Sequence, residues 1–369
     1  MAASHPTPDP LASATLVYVA PRTGTSGVSD YADDLLEQAR GVFGSVVEVR
    51  HGGAGQDGIA EVRRARREIR DAVSAASSTV IVHTEHSGGV LAPFWGLAQR
   101  RLRAPHVLLS ATLHDAPLSV WLPLRTRGIE KHRLLVHALH YPLMPLWQWV
   151  ERRVLKDVQL SALTASGADA VAAQMRRDGV VVSFLPVPER PRLTPADKRP
   201  LAVGMFGYVY KGKGFQDLER FRALLDPAIT LRVAGRGTEA LPPVEGVEIL
   251  GGVDGAAEDA FFDSIRTIVL PYGRRSSYGP VTHVASSVAA RALSYGTPLV
   301  ALRYPGLSDE AEIVDGDLED LAAAVNRVVT DDTQMERAMV HAEQLRDRLT
   351  TAAAFQRLAD GWRAGLRTD

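Results

Sequence analysis

The sequence predicts an α/β protein of two domains, each alternating strand and helix around a parallel sheet. Three observations predict it. The first is the segment 267–303, TIVLPYGRRSSYGPVTHVASSVAARALSYGTPLVALR. Residues 267–270 are a short apolar run ending in the turn Pro271-Tyr272-Gly273, which reads as a buried strand and its exit loop. Ser286-Ser287 opens a run of Ala, Val and Leu at helical spacing that stops at Tyr295-Gly296, with Ser a favoured N-cap and Gly a favoured end. Residues 298–302 read as the next strand. Such a unit sets a helix N-terminus at the carboxyl edge of the sheet, where ligands bind and free N–H groups suit a phosphate. The second observation is the alternation of short apolar runs with helical stretches through both halves of the chain. The third is PVPERPRLTPADKRP, with prolines at 186, 188, 191, 195 and 200, a tract that neither a helix nor a central strand tolerates. It predicts a linker at 186–200 between domains at 14–185 and 201–349.

Composition narrows the function classes. A chain of 369 residues with 46% hydrophobic and 23% charged residues has material for two ordinary cores. Net charge is −1, so no global basicity argues for nucleic acid. The absence of cysteine excludes disulfides, thiolate nucleophiles and cysteine-ligated metals, and fits a reducing compartment. No apolar run reaches the roughly 18–20 residues of a membrane span. Residues 1–13 are rich in Pro, Ala and Ser without an apolar signal core, and read as a disordered tail of a cytoplasmic protein.

Residues 15–20 (TLVYVA) form the first strand. Gly24 and Gly27 in the next loop permit tight turns and close backbone approach, and Ser29 or Asp30 caps a helix to Arg40. Strand, glycine loop and helix suit a phosphate or sugar, and equally a plain connection; the three-glycine dinucleotide fingerprint is missing. Residues 46–49 are the second strand. The helix at 59–76 spreads Arg63, Arg64, Arg66, Arg67 and Arg70 around its circumference. It reads as a solvated helix, with a surface for anionic lipid or an anionic acceptor as the alternative. A strand at 79–83 leads into Thr84-Glu85-His86-Ser87. His83 and His86 lack the HExxH spacing and are read as hydrogen-bonding rather than metal-ligating, with Glu85 and His86 facing the ligand edge. A strand at 107–110 precedes the loop pair His114-Asp115. Arg125, Arg127, Lys131 and Arg133 form a second basic cluster before an aromatic helix at 141–156. Trp147 and Trp149 there suit core or interface packing, with membrane contact as the alternative. A strand at 160–164, a helix at 165–177 and a strand at 180–185 complete the first half.

The second half opens with a strand at 201–206 and a helix at 215–224. Between them lie Gly207, Gly212, Gly214, Lys211 and Lys213, and a lysine on such a loop neutralises a diphosphate. A strand at 229–234 leads to Gly235-Arg236-Gly237, one at 247–250 to Gly251-Gly252-Val253, and an acidic helix at 256–265 to the segment 267–303. In its loop, Arg274, Arg275, Ser276, Ser277 and Tyr278 are further candidates for phosphate or sugar contact. Helices near 317–329, 332–348 and 350–366 close the chain.

Leu270-Pro271, Ser286-Ser287 and ARALSYGTPLVA (290–301) resemble the C-terminal donor-binding motif of the GT-B glycosyltransferases of retaining family four. SGVSDYA (26–32) resembles the glycine-rich loop near the N-terminus of those enzymes. His114-Asp115 is similar to a loop histidine they carry, Lys213-Gly214 to their Lys-Gly pair, and Gly235-Arg236-Gly237 to their nucleotide-side glycine loop. The resemblance implies two Rossmann-like domains facing across a cleft, with a C-terminal helix (350–369) crossing back to the first domain. It implies transfer of a sugar from a nucleoside-diphosphate sugar to an acceptor hydroxyl with retention, without metal or separate cofactor, in polysaccharide, glycolipid or secondary-metabolite biosynthesis. It assigns catalytic roles to His114, His283 and Lys213. Donor binding falls to Gly27, Tyr208, Lys213, Arg236, Ser286, Ser287, Val288 and Arg291, and acceptor binding to Ser26, Glu85 and His86. Front-face retention, in which the leaving phosphate takes the acceptor proton, needs no side-chain base.

Three positions depart from the family pattern. His283 and Arg291 stand where it has two glutamates eight positions apart, and Tyr208 where it has an arginine. Arg291 has no acceptor for a ribose diol, and either binds phosphate or packs on its helix. The departures keep open a GT-B protein without catalysis, acting as a partner or scaffold. A sugar-nucleotide epimerase, a nicotinamide dehydrogenase lacking its glycine fingerprint, and a membrane-surface binder without activity are the other readings. Family members acting on lipid-linked acceptors carry a basic N-terminal face, which implies weak peripheral contact at the inner face of a membrane.

Overall fold

In the computed structural model, residues 9–53, 55–120, 122–273, 281–307 and 310–367 are described. They form two compact units. The first takes the chain to Phe184, then Thr282–Ala285, then the chain from Thr351; the second comprises Leu185–Val281 and Ser286–Thr350.

In the first unit the order is β1 (Thr15–Pro21), α1 (Gly27–Arg40), β2 (Ser45–His51), α2 (Ile59–Ala75), β3 (Val80–His86), α3 (Ala92–Leu97), β4 (Val107–Leu113), α4 (Arg127–Glu130), α5 (Arg133–Val154), β5 (Gln159–Ala162), α6 (Ala165–Met175) and β6 (Val181–Val182). The second unit holds β7 (Ala202–Phe206), α7 (Leu218–Leu224), β8 (Thr230–Ala234), β9 (Val247–Gly251), α8 (Gly255–Asp263), β10 (Thr267–Leu270), α9 (Ser287–Ser294), β11 (Leu299–Leu302), β12 (Glu312–Val314), α10 (Leu318–Thr330) and α11 (Asp332–Arg348). The last helix, α12 (Thr351–Leu366), packs on α1, in the first unit.

Each unit carries a six-stranded parallel sheet among the described residues, ordered β2-β1-β3-β4-β5-β6 and β12-β11-β10-β7-β8-β9. Both therefore reverse direction once, between β1 and β3 and between β7 and β10. In an open α/β sheet the crevice for ligand lies at the carboxyl ends of the two strands flanking that reversal. One core of the first unit joins Val17, Val19, Val80, Val82 and Leu109 to Ala65, Ile69 and Val73, which recur every four residues along α2. The sheet of the second unit is clothed on both faces, by Phe261, Phe262, Ala292 and Leu293 in one cluster and Phe221, Leu321, Val325 and Val328 in the other.

Four expectations change. Residues 1–8 of the expected tail lie outside the described residues, but Pro10–Ser13 form a helical turn with Leu11 buried, and Asp9 pairs with Arg363 of α12 at 2.6 Å. The Pro-rich tract 186–200 is part of the second unit. Buried Arg199 anchors it, donating to the carbonyls of Phe262, Ile265 and Tyr295 at 3.0, 3.2 and 3.0 Å and to Thr297 Oγ1 at 2.7 Å. Helix α1 begins at Gly27 under a Ser26 cap, earlier than the caps expected at Ser29 or Asp30. Strands β3 and β4 each run three residues beyond their expected ends, which seals Glu85 and His86 inside the sheet.

Candidate functional site

In the second unit the reversal of the sheet collects three loops. Gly207 follows β7 and Gly235 follows β8, and they pass so closely that a Cβ on Gly235 would stand 2.7 Å from Gly207 N. Gly235 also holds a φ of +129°, open to glycine. Gly214, at φ +82°, presses the Lys213 loop against the exit of β10, where a Cβ would stand 2.7 Å from Pro271 O. That contact sets the Lys213 ammonium 3.7 Å from the centre of the Tyr272 ring. An ammonium over an aromatic face is held there by the ring quadrupole. Tyr272 OH lies 3.3 Å from Ser286 Oγ. Ser286 caps α9, its Oγ accepting from Ala289 N at 3.2 Å. The amides of Ser287 and Val288 precede the first intrahelical bond and, with the helix dipole, make an anion-binding end. On the β8 side Arg236 donates to Tyr208 OH at 2.9 Å, and its loop is tied to the preceding one by Val209 N to Arg236 O.

In the first unit the reversal collects buried polar groups. Glu85, with no exposed surface, receives Tyr18 OH and His83 Nε2 (3.1 Å) on Oε1 and His114 Nε2 (2.8 Å) on Oε2. Tyr18 stands on β1, His83 and Glu85 on β3, and His114 directly after β4. Burial raises the Glu85 pKa, but the hydrogen bonds from His114 and His83 outweigh it and hold the carboxyl down to about 2. Tyr31 of α1 meets the His114 ring edge-on at 5.0 Å. His83 Nδ1 lies 2.9 Å from Ser110 Oγ, which also receives Trp362 Nε1–H at 2.9 Å.

His51 and His86 are also buried in this unit, and among the described residues neither hydrogen-bonds a carboxylate, the nearest being Asp57 Oδ2 at 3.6 Å from His51 Nδ1. His51 ends β2 and is held to about 4, and His86 ends β3 and is held to about 3, in both cases chiefly by desolvation. Each folded pKa lies below the unfolded value of 6.5. Below that pH the unfolded chain takes up protons that the folded chain refuses, so stability is full above 6.5 and falls as the pH drops toward 3–4. Urea titrations of the first unit's transition are expected to lose about 1–2 kcal/mol per histidine between pH 7.5 and pH 5. A His86→Gln variant is expected to lose less over the same interval; an unchanged pH slope would contradict its burial as the neutral form.

Of the residues singled out from sequence, the second unit brings together Tyr208, Lys213, Arg236, Ser286, Ser287 and Val288. Arg291 donates through Nη1 to both oxygens of Glu258 on α8, at 2.8 and 2.7 Å, and so braces two helices. Glu85 and His86 are corrected. Neither reaches the surface to meet an acceptor, because Glu85 is enclosed by Tyr18, His83 and His114, while His86 bonds Thr84 Oγ1 and Ser119 O. Ser26 and Gly27 lie exposed at the start of α1. His283 belongs to the first unit, where its N–H donates to Ala116 O at 2.7 Å and its carbonyl accepts from Thr164 Oγ1 at 3.3 Å. Among the described residues its buried Nδ1 has no hydrogen-bond partner. Arg274, Arg275, Ser276, Ser277 and Tyr278 lie outside the described residues. Sequence reading missed Tyr272, Tyr18 and Trp362. Tyr272 sits in the turn quoted above, and only its place beside Lys213 marks it.

No protein-family model matches the chain, and no curated protein matches it. Solved structures do. HepE from Anabaena, in complex with UDP-glucose, aligns over 95% of this chain and 99% of its own, with a TM-score of 0.61 and 12% identity. The lipopolysaccharide outer core galactosyltransferase WaaB, in its apo form, aligns over 95% of this chain and 99% of its own, with a TM-score of 0.61 and 11% identity. A TarM mutant from S. aureus, in complex with Fondaparinux, alpha-GlcNAc-glycerol and UDP, matches 82% of this chain at a TM-score of 0.53 and 11% identity. The chain spans 59% of TarM's length. With the two parallel sheets, these likenesses give the chain the GT-B fold, two Rossmann-like α/β units of the kind found in nucleotide-sugar glycosyltransferases.

Proposed function

We propose that the protein is a glycosyltransferase that takes a nucleoside-diphosphate sugar as donor and passes the sugar to an acceptor hydroxyl with retention. The observation that carries this is the grouping of Lys213, Tyr272, Ser286 and the first-turn amides of α9 at the carboxyl edge of the second sheet. A departing diphosphate is the energetic difficulty of the reaction, and an oriented ammonium with backbone donors stabilises its charge without a metal. Arg236, steadied by Tyr208, supplies the second cation that the Tyr208 position lacks. HepE was solved with UDP-glucose, which makes UDP the first nucleotide to try. In the first unit, Ser26, Gly27, His114 and His283 are the groups proposed to meet substrate, with Glu85 and His86 behind them.

Thermal unfolding against UDP, GDP, ADP, CMP, dTDP and their sugars tests the donor site. A ligand at 100 times its dissociation constant is expected to stabilise by about 2.7 kcal/mol. Response to one nucleotide supports the reading and names the base. No response to any of them removes the donor site and leaves the non-catalytic scaffold.

One surface favours a peripheral membrane contact as an added property. Trp149 and Leu146 on α5 are 58% and 48% exposed, rather than packed as expected for Trp149, and Arg153 and Lys156 are exposed nearby along the chain. Among the described residues no helix is long and apolar enough to cross a membrane. Vesicles of anionic lipid are expected to bind the protein, and Trp149→Ser to weaken that binding.

A further inference from the structure

We propose that the second unit carries a saccharide-binding groove along α11, at the amino edge of its sheet, which holds a neutral glycan chain by hydrogen bonds to both rims. The class of ligand rests on the reading of the chain as a sugar-transferring protein; the groove itself does not.

The groove follows from the sequence of α11. Met335, Ala342 and Leu345 are its buried positions. Gln334, Arg337, His341, Gln344 and Arg348 recur every three or four residues, so they share one face of the helix, and all five are exposed. Across from them the chain passes through Glu310 to Glu312, where β12 begins. Two adjoining cavities lie between, of about 240 and 340 Å³, and Ala311 and His341 line both. Together they reach the roughly 300–1,000 Å³ of small-molecule sites. The floor is apolar, with Leu299, Ala311, Ala342 and Leu345 all buried. Leu299 opens β11 and Glu312 opens β12, two parallel neighbours, so the groove lies at the amino edge of the sheet. Lys213 and Tyr272 follow β7 and β10, at the opposite edge.

The class of ligand follows from the rims. Arg337 on the helix side and Glu312 on the other line one cavity, yet no ion pair joins them. Among the described residues the side chains of Gln334, Arg337, Gln344 and Glu312 make no hydrogen bond or ion pair. A purely anionic ligand would meet Glu310 and Glu312, and a purely cationic one Arg337 and Arg348. A hydroxyl both donates and accepts, so a sugar can donate to Glu312 and accept from Arg337 at once, with its C–H faces on the apolar floor. Carboxylate, guanidinium and primary amide each present two polar atoms, which pair with two neighbouring hydroxyls. The helix face from Gln334 to Arg348 is about 21 Å long, which suits a chain of sugars rather than a single one. A chain bound here lies away from the donor edge. The groove therefore tethers the glycan and raises the concentration of acceptor ends around the protein, without taking part in transfer.

The test is a glycan array of neutral and acidic oligosaccharides probed with the full chain at physiological salt, followed by titration of the captured sugars. Wild type is expected to bind neutral chains, and more tightly than the single sugars they contain. Arg337→Ala and Glu312→Ala are each expected to weaken that binding about tenfold, the cost of one hydrogen bond to a charged group. Both residues are exposed, so both variants are expected to keep the wild-type circular dichroism spectrum. Lys213→Ala is expected to leave glycan binding unchanged. Neutral chains bound equally well by wild type and both groove variants put the saccharide elsewhere and overturn the proposal. Capture of acidic chains alone assigns the protein's affinity to a polyanion and also overturns it, as does an array on which no neutral chain is bound. The donor reading fails separately. A protein that binds glycan through Arg337 and is stabilised by no nucleotide keeps the groove and loses the transferase; one that a nucleotide stabilises and no neutral chain captures keeps the transferase and loses the groove.

Discussion

Lys213→Ala is expected to lower the rate of sugar transfer by about 100- to 1,000-fold, the usual cost of removing one preorganised charge-stabilising donor, or about 2.7–4 kcal/mol. The expectation follows from how little freedom the ammonium has. Gly214 presses its loop onto Pro271, and the Tyr272 ring lies 3.7 Å beneath the charge. The Tyr272 hydroxyl in turn meets the cap of α9. A charge already in place when the phosphate bond breaks needs no reorganisation at that moment, which is why its loss appears in kcat. Lys213→Met separates charge from bulk, since it keeps most of the stem over Tyr272. Steady-state kinetics with the donor identified by thermal stabilisation measures both. A Lys213→Met enzyme within threefold of wild type would exclude the ammonium from the chemistry. Tyr272→Leu is expected to raise the donor KM more than it lowers kcat, because it removes the support and keeps the charge.

Trp362→Ala is expected to destabilise the first unit by about 3–5 kcal/mol, the range for deleting a large buried aromatic. Trp362 is 1% exposed and packs edge-on against Phe43, His83 and Phe355. It stands on α12, which the chain reaches only after completing the second unit. Trp362→Phe keeps most of the packing and removes the donor to Ser110, and is expected to cost about 0.5–1.5 kcal/mol. Denaturation followed by hydrogen exchange reads the two units separately. Loss of protection in β1, β3 and β4, with the second unit unchanged, is the expected pattern. Equal loss in both units, or none in the first, would show that α12 does not hold that sheet together.

The elements were legible because their signals are local. Ala65, Ile69 and Val73 repeat at helical spacing, Ser286 stands before an apolar run, and Thr267–Leu270 is an unbroken apolar strand. Alternating strands and helices in both halves then leave few topologies besides parallel sheets. Strand ends were less legible. His83-Thr84-Glu85-His86 reads as the polar exit of a strand, yet the ladder with β4 continues through His86. Its polar side chains stay inside because Ser110 from β4, Tyr18 from β1 and His114 from the next loop satisfy them. Sequence cannot anticipate this, since each partner comes from a different strand or loop.

The sequence by itself determined which segments become strands and helices, where glycines let loops approach one another, and that a helix start would face the edge of a sheet. Those properties depend on backbone conformation and on neighbours within a few residues. The tertiary structure alone decided what each charged side chain meets. Arg291 gives no sign in the sequence of its partner, Glu258 on α8, to which it makes two hydrogen bonds. Lys213 became a directed charge only when Tyr272 came beneath it. Glu85 changed from a group facing ligand to one holding His114, because burial makes the role of a carboxylate depend on every donor within reach, and those donors are brought there by the folding of the whole unit.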